Sequence, residues 1–287
     1  MKPFSLNIRG SLYQFDRPVV MGIINVNDDS FYSASRVSAE ADIAERARKM
    51  VEEGAEILDI GVCSTRPGAK VIEASIESQN LASALNVIRK TVGDECLISV
   101  DTFRADVARM AVEDCGADII NDISGGDLDS CMARTMARLR VPYIFMHMRG
   151  TPATMQTMTD YGREGVCATV VTELAIKAER LLHLGVADLI ADPGFGFAKT
   201  IGQNYAMLAN LSEMIEALAL PMLVGISRKS MFYRPLSLTP ADVLPATTAA
   251  NTIALQSGAA ILRVHDVAAA VQAREVCRFA DENCKTC

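Results

Sequence analysis

Eight short apolar runs, each ending in polar or ionisable residues and separated by stretches of helical period, constrain this chain more than any other feature. They span residues 19–25, 57–62, 97–102, 119–124, 143–148, 189–194, 222–227 and 261–266. A strand covered on both faces has no solvent side on which to alternate, so near-continuous hydrophobicity points to a parallel sheet under helices. The segment 39–53 shows the helical period, with Ala41, Ile43, Ala44, Ala47, Met50 and Val51 among its apolar positions. Gly54, Gly116, Gly185 and Gly258 each sit just before a run, as helix C-terminal signals do. Residues 5–15 alternate around Gly10 like a hairpin. The order predicts an α/β fold, a (β/α)8 TIM barrel whose bottom is closed by a short N-terminal β-hairpin. A doubly wound open sheet is the alternative, but no G-x-G-x-x-G turn follows the first run. A length of 287 residues suits one such barrel, so residues 1–287 read as a single domain.

Composition narrows the partners. Half of the residues are hydrophobic, 50%, ample for a large core, yet no apolar stretch reaches the roughly 18 residues of a membrane span. Residues 1–20 carry Lys2, Arg9, Asp16 and Arg17 and hold no apolar segment long enough for a secretory leader. A formal net charge of −7 argues against nucleic acid, whose binding needs basic surface; an anionic small substrate would need a local basic pocket. Eight cysteines show no framework spacing and several lie in apolar runs, which suits free thiols and a cytoplasmic location. Cys284 and Cys287 form a C-x-x-C with no second ligand pair, a poor metal site.

The chemistry gathers at one end of the runs. In such barrels the active site lies at the C-terminal ends of the strands. Here those ends read Asn25; Cys63-Ser64-Thr65-Arg66; Asp101; Asn121; His147; Asp192; Ser227-Arg228-Lys229; and Arg263-Val264-His265-Asp266. The opposite ends carry Gly, Ala, Leu and Pro. In the sixth run, Pro193 ends the strand, and Gly194 and Gly196 permit a sharp turn or a close ligand approach. One such aspartate alone could be an ordinary helix cap. Eight polar strand ends are harder to attribute to capping.

These residues resemble the dihydropteroate synthase family. The matching segments are Met21-Gly22-Ile23-Ile24-Asn25-Val26 with Asp29-Ser30-Phe31; Asp59-Ile60-Gly61 with Ser64-Thr65-Arg66-Pro67-Gly68-Ala69; Ser99-Val100-Asp101-Thr102; Ile120-Asn121-Asp122-Ile123; and Met146-His147-Met148. Asp192-Pro193-Gly194-Phe195-Gly196-Phe197, Val224-Gly225 with Ser227-Arg228-Lys229-Ser230, and Arg263-Val264-His265-Asp266-Val267 complete the set, in family order. The resemblance implies a transferase that joins 6-hydroxymethyl-7,8-dihydropterin diphosphate to p-aminobenzoate, giving 7,8-dihydropteroate and pyrophosphate. It also implies Mg²⁺, sulfonamides as inhibitors and a homodimer packed through the last barrel helices, where residues 246–256 are rich in small side chains.

Carried onto this chain, the resemblance gives Asp192 the pterin's guanidine-like edge and Lys229 its carbonyl and ring nitrogen, with Asp101 and Asn121 beside them. Arg263, His265 and Arg66 face the diphosphate, and Asn25 supplies an oxygen to Mg²⁺. Phe195 and Pro67 flank the p-aminobenzoate ring, with Ser227 near its carboxylate and Thr65 in the second loop. Asp101, Asp192, Lys229, Arg263 and His265 are the expected catalytic set, whereas His147 reads as core or rim. The plain alternative for His265 is a neutral histidine facing Asp266. The chain departs from the family at Asn27-Asp28, where Thr-Pro is usual, and at Val62-Cys63. Two other functions fit less well: a pterin-binding paralogue without catalysis, and a methyltetrahydrofolate-dependent corrinoid methyltransferase, which needs no pyrophosphate site.

Overall fold

The computed structural model describes residues 2–26, 36–62 and 72–284. Strands β1 (Phe4–Ile8) and β2 (Ser11–Phe15) form an antiparallel hairpin. Its turn is Arg9-Gly10, both at positive φ (51° and 81°), as a tight two-residue hairpin turn requires. Eight parallel strands follow: β3 (Val19–Asn25), β4 (Ile57–Gly61), β5 (Leu97–Asp101), β6 (Ile119–Asp122), β7 (Tyr143–Met146), β8 (Leu189–Asp192), β9 (Leu223–Val224) and β10 (Ile261–Val264). They pair in the order β8-β7-β6-β5-β4-β3-β10-β9. A bridge between Ala191 and Met222 joins β8 to β9 and closes the barrel. The strands stop one to three residues short of several apolar runs, because the residues beyond leave the ladder to build the loops of the mouth.

Helices cover the outside: α1 (Arg36–Glu52), α2 (Ala74–Val92), α3 (Ala105–Glu113), α4 (Met132–Leu139), α5 (Gly165–His183), α6 (Ile201–Ala209), α7 (Leu211–Leu218), α8 (Ser230–Tyr233), α9 (Leu244–Gln256) and α10 (Val267–Cys284). Gly54, Gly116, Gly185 and Gly258 have φ of 98°, 68°, 95° and 97°, the left-handed conformation that ends a helix without a Cβ clash.

Alternation along the strands creates two cores. Side chains of one parity meet the helices, among them Leu58, Ile60, Ile98, Val100, Ile120, Phe145 and Ala191. Those of the other parity point into the barrel, where Met21, Ile57, Ile119, Ile144, Ile190, Leu223 and Ile261 form a buried layer with Leu6 and Ile8 of the hairpin. The hairpin therefore closes the bottom, as its pattern predicts. Arg9 pins it from outside, bonding the buried Asp118 at 2.6 Å.

Candidate active site

Two residues further along the inward-facing parity the barrel changes character. Asp59 stands within β4, in register with Ser99 on β5, and Gly61 lies opposite Asp101. Asp101 in turn lies opposite Asn121 on β6. Arg263 reaches this row from β10. Its Nε donates to Asp59 Oδ2 at 2.6 Å and its Nη2 to Asp101 Oδ2 at 2.8 Å. Asn121 Nδ2 donates to the same Asp59 oxygen at 3.0 Å. Asp59 is fully buried, and its Oδ1 and the Ser99 hydroxyl have no hydrogen-bond partner among the described residues. Burial raises the Asp101 carboxyl to about 7, with Arg263 opposing and Asp59 reinforcing the rise. Burial also pulls on Arg263, but Asp59 and Asp101 outweigh it and hold the guanidinium firmly charged.

The second half of the site is the turn after β8. Gly194 N donates to Asp192 Oδ1 at 2.7 Å, and burial raises the Asp192 carboxyl while Lys229 opposes the rise. Lys229 Nζ donates to the Phe195 carbonyl and lies 4.8 Å from the centroid of the Phe197 ring. Burial lowers the Lys229 ammonium to about 8, against the pull of Asp192. The turn depends on glycine at two places. A Cβ on Gly194 would lie 2.0 Å from the His147 carbonyl oxygen, and one on Gly196 3.1 Å from Lys229 Cδ; both have positive φ, 71° and 82°. No other L residue fits at 194 without moving backbone.

Beyond β10, His265 Nδ1 and Ser227 Oγ are 3.0 Å apart, and the same Oγ accepts from His265 N at 3.2 Å. Asp266 is taken by Arg228, through Nε at 2.9 Å and Nη2 at 2.5 Å. Asp266, the neighbour that the sequence offered to His265, is bonded by Arg228 on both oxygens, and Ser227 lies against the His265 ring.

Behind the turn is a group of residues that the sequence reading left without a role. Lys199 is buried, and its Nζ contacts His147 Nδ1, Gly194 O and Phe197 O, each at 3.0 Å. His147 Nε2 lies 2.8 Å from Glu173 Oε2 on α5, and Arg149 Nη2 bonds Glu173 Oε1 at 2.5 Å. Burial lowers His147 to about 4. The neutral ring therefore carries its proton on Nε2, for Glu173, and accepts from Lys199 at Nδ1. The hydrogen bond from His147, with help from Arg149, holds Glu173 at about 2. Burial brings Lys199 down to about 7.

The structure thus brings Asp101, Asn121 and Arg263 into one hydrogen-bonded group through Asp59, and sets Asp192 and Lys229 on either side of a single turn. Asn25 ends β3 with an exposed side chain. Thr65, Arg66 and Pro67, like Asn27 and Asp28, lie outside the described residues. One expectation needs correction. The Phe195 ring, expected beside p-aminobenzoate, is fully buried in the outer core, because the turn directs the ring inward and leaves its carbonyl for Lys229. Phe197, partly buried, is the aromatic face near that lysine. At the described mouth Asp59, Asp101 and Asp192 are set against Lys229 and Arg263; Arg66, the further cation of the expected basic pocket, lies outside the described residues. Asp59 was detectable in sequence, as a carboxylate inside the apolar run 57–62. Glu173 carried no such signal, because its place at the site depends on α5 packing behind β7.

Fold and mouth together define a barrel enzyme with a polar site at the C-terminal strand ends. A family model described as pterin binding enzyme matches residues 21–265. The chain is 38% identical over 268 residues to the dihydropteroate synthase of Synechocystis, covering 92% of this chain and 90% of that one. Among solved structures, the Yersinia pestis dihydropteroate synthase in a sulfonamide drug complex superposes with a TM-score of 0.88 at 33% identity, covering 97% of this chain and 100% of that one. The Burkholderia cenocepacia enzyme complexed with 7,8-dihydropteroate gives 0.86 at 35% identity, covering 99% of each chain. The chain belongs to the dihydropteroate synthase family of pterin-binding enzymes.

Proposed function

We infer that the chain is a dihydropteroate synthase of folate biosynthesis, a transferase that condenses 6-hydroxymethyl-7,8-dihydropterin diphosphate with p-aminobenzoate. The observation that carries this reading is the buried row of Asp59, Asp101, Asn121 and Arg263 facing the turn of Asp192 and Lys229. A pterin has donors and acceptors along one flat edge, and buried polar groups discriminate strongly in favour of a ligand that satisfies them. Asp192 accepts from the guanidine-like edge, and Lys229 donates to the ring carbonyl and nitrogen. Asp101 and Asn121 bind beside them, and Asp59 Oδ1, without a partner among the described residues, offers a further acceptor.

Reaction breaks the bond between the pterin methylene carbon and the diphosphate oxygen. Pyrophosphate leaves with that electron pair, and the amine nitrogen of p-aminobenzoate bonds to the carbon and loses its proton to solvent. Ionisation ahead of amine attack removes the need for a strong base. Charge develops on the leaving oxygen, where positioned donors contribute most. Arg263, oriented by two carboxylates, and His265, whose Nδ1 is occupied by Ser227, serve there with Arg66. Asn25 fits Mg²⁺: it is an exposed residue at a strand end whose side-chain amide carries one oxygen, and this ion is held by few protein ligands with waters and substrate phosphates completing the shell. Bound there, Mg²⁺ would neutralise diphosphate charge.

One domain spanning residues 1–287, a cytoplasmic location and a homodimer complete the proposal. The six described cysteines are free, and no described helix is long and apolar enough to cross a membrane. Ile253 on α9 and Val276 and Phe279 on α10 are exposed and suit a contact between copies, which sedimentation at micromolar concentration would test. For the activity, pyrophosphate release should require both substrates and Mg²⁺. Pterin diphosphate binding without release would leave a binding protein, not a synthase.

A further inference from the structure

Lys199 is not placed to touch a substrate. It is 5% exposed, and its three N–H groups are matched by three acceptors, His147 Nδ1, Gly194 O and Phe197 O. Two of those acceptors belong to the backbone of the turn after β8. The third is a side chain on the loop after β7, whose own carbonyl is packed so closely on Gly194 that a Cβ there would clash at 2.0 Å. A buried ammonium is expensive unless fully paired, so the three acceptors are what let this lysine stay buried beneath the turn.

The chain of contacts continues outward. His147 can accept at Nδ1 only while its proton sits on Nε2, and Glu173 fixes that tautomer at 2.8 Å. Arg149 fixes Glu173, bonds Asp160 O at 2.6 Å and lies 4.3 Å from the centroid of the Tyr161 ring. Tyr161 OH donates to Ala198 O at 3.0 Å, returning to the same turn. The loop after β7, helix α5 and the turn after β8 are thus closed into one ring of polar contacts. Gly194, at one end of this turn, donates to Asp192 Oδ1, and Phe195, within it, accepts from Lys229.

Resting on the dihydropteroate synthase reading, we propose that Lys199, with His147 as its side-chain acceptor, is a positioning residue for the pterin subsite, holding the 193–198 turn so that Asp192 and Lys229 both face the bound pterin. Glu173 acts one step further out by fixing the histidine tautomer.

The test compares the wild type with Lys199→Met, His147→Leu, their double variant and Glu173→Gln. Binding of pterin diphosphate is measured by calorimetry and the KM of each substrate by pyrophosphate release. Lys199→Met keeps the length and removes the donors; pterin diphosphate affinity should fall by about 10-fold, the scale of one to two lost hydrogen bonds. The KM for p-aminobenzoate at saturating pterin should move by less than about 3-fold, since the loss is in binding one substrate. Because the two side chains act through one contact, the double variant should bind no more weakly than the worse single one. Glu173→Gln, on a partly exposed side chain, should shift pterin affinity in the same direction by no more than about 3-fold, roughly 0.65 kcal/mol, because the amide oxygen can still accept from His147 Nε2.

Unchanged pterin affinity in folded Lys199→Met, even with a lowered Tm, would overturn the proposal, as would equal losses for both substrates. Should Lys199→Met fail to fold, unchanged affinity in folded His147→Leu overturns it instead. A wild-type chain that binds no pterin diphosphate would overturn the functional reading and this one together. A wild type that turns over normally isolates failure to the lysine.

Discussion

The two ends of the barrel interior are built by the same eight strands and obey opposite rules. At the bottom, Ile57, Ile119, Ile144, Ile190, Leu223 and Ile261 meet Leu6 and Ile8 in a dry layer, where each fully buried side chain contributes about 1.5–3 kcal/mol. Two residues on, the same alternation delivers the buried Asp59, Asn121 and Asp192 and the partly buried Arg263. There, every charge must be matched, because an isolated buried ion costs far more than one apolar side chain contributes. The bottom tolerates loss of volume in proportion to the hole left, whereas the top tolerates loss of a partner poorly.

Removing Arg263 should break that balance most. Arg263→Met leaves Asp59 and Asp101 buried without their shared cation and should cost about 3–5 kcal/mol of stability, together with turnover, in urea unfolding and pyrophosphate-release assays. A loss below about 1 kcal/mol, the level of an exposed pair, would show the mouth to be well solvated. The matching change at the bottom is Ile190→Ala, expected to cost about 2–5 kcal/mol through its cavity. Pterin affinity of the folded variant should stay at the wild-type value by calorimetry, and a parallel drop would mean that the two ends are mechanically coupled.

Asp192→Asn is smaller and confined to binding. It keeps the shape and the acceptor for Gly194 N, and should weaken pterin binding by more than about 1.5 kcal/mol, as expected for a hydrogen bond to a charged group. Unchanged affinity would remove Asp192 from the pterin site.

A pH effect follows from Lys229, whose folded value of about 8 lies below the ordinary 10.5. Between these values the unfolded chain holds more protons than the folded one, so this lysine makes stability rise with pH from about 8 to 10.5. Its contribution is present above the upper value and is lost as pH falls through the lower one. Urea midpoints across this window should rise less steeply in Lys229→Met than in the wild type, and identical slopes would place the lysine in a wetter setting. The smallest effect is expected outside the plug. Leu12→Ser, on the outer strand of the hairpin and 77% exposed, should change stability by no more than about 0.5 kcal/mol, and a larger loss would show that both strands of the hairpin seal the barrel.

Much of the architecture was readable because its causes are local. A strand covered by helices on one face and a packed interior on the other cannot alternate with solvent, so the eight runs stood out, and Gly54, Gly116, Gly185 and Gly258 marked helix ends that only a residue without Cβ takes easily. The polar strand ends were readable for the same reason, since a carboxylate such as Asp192 at the limit of an apolar run needs a partner or a ligand. The alternation of residues 5–15 around Gly10 marked the hairpin, and only the structure shows that Leu6 and Ile8 of its first strand enter the barrel layer.

Partnership was not readable. Arg263 and Asp59 are 204 residues apart, and nothing near either one says that barrel closure will bring them to 2.6 Å. The resemblance assigned Arg263 to the diphosphate, while the fold shows it also oriented by two carboxylates. Phe195 and Phe197 look equivalent in sequence, and only the path of the turn through Gly194 and Gly196 buries one ring and leaves the other beside Lys229. Lys199 precedes a helix like many exposed lysines. Its burial was decided by a neighbouring strand end and a helix supplied by distant parts of the chain, because desolvation and pairing depend on everything that surrounds a charge, whereas periodicity and backbone preference depend only on its neighbours in sequence.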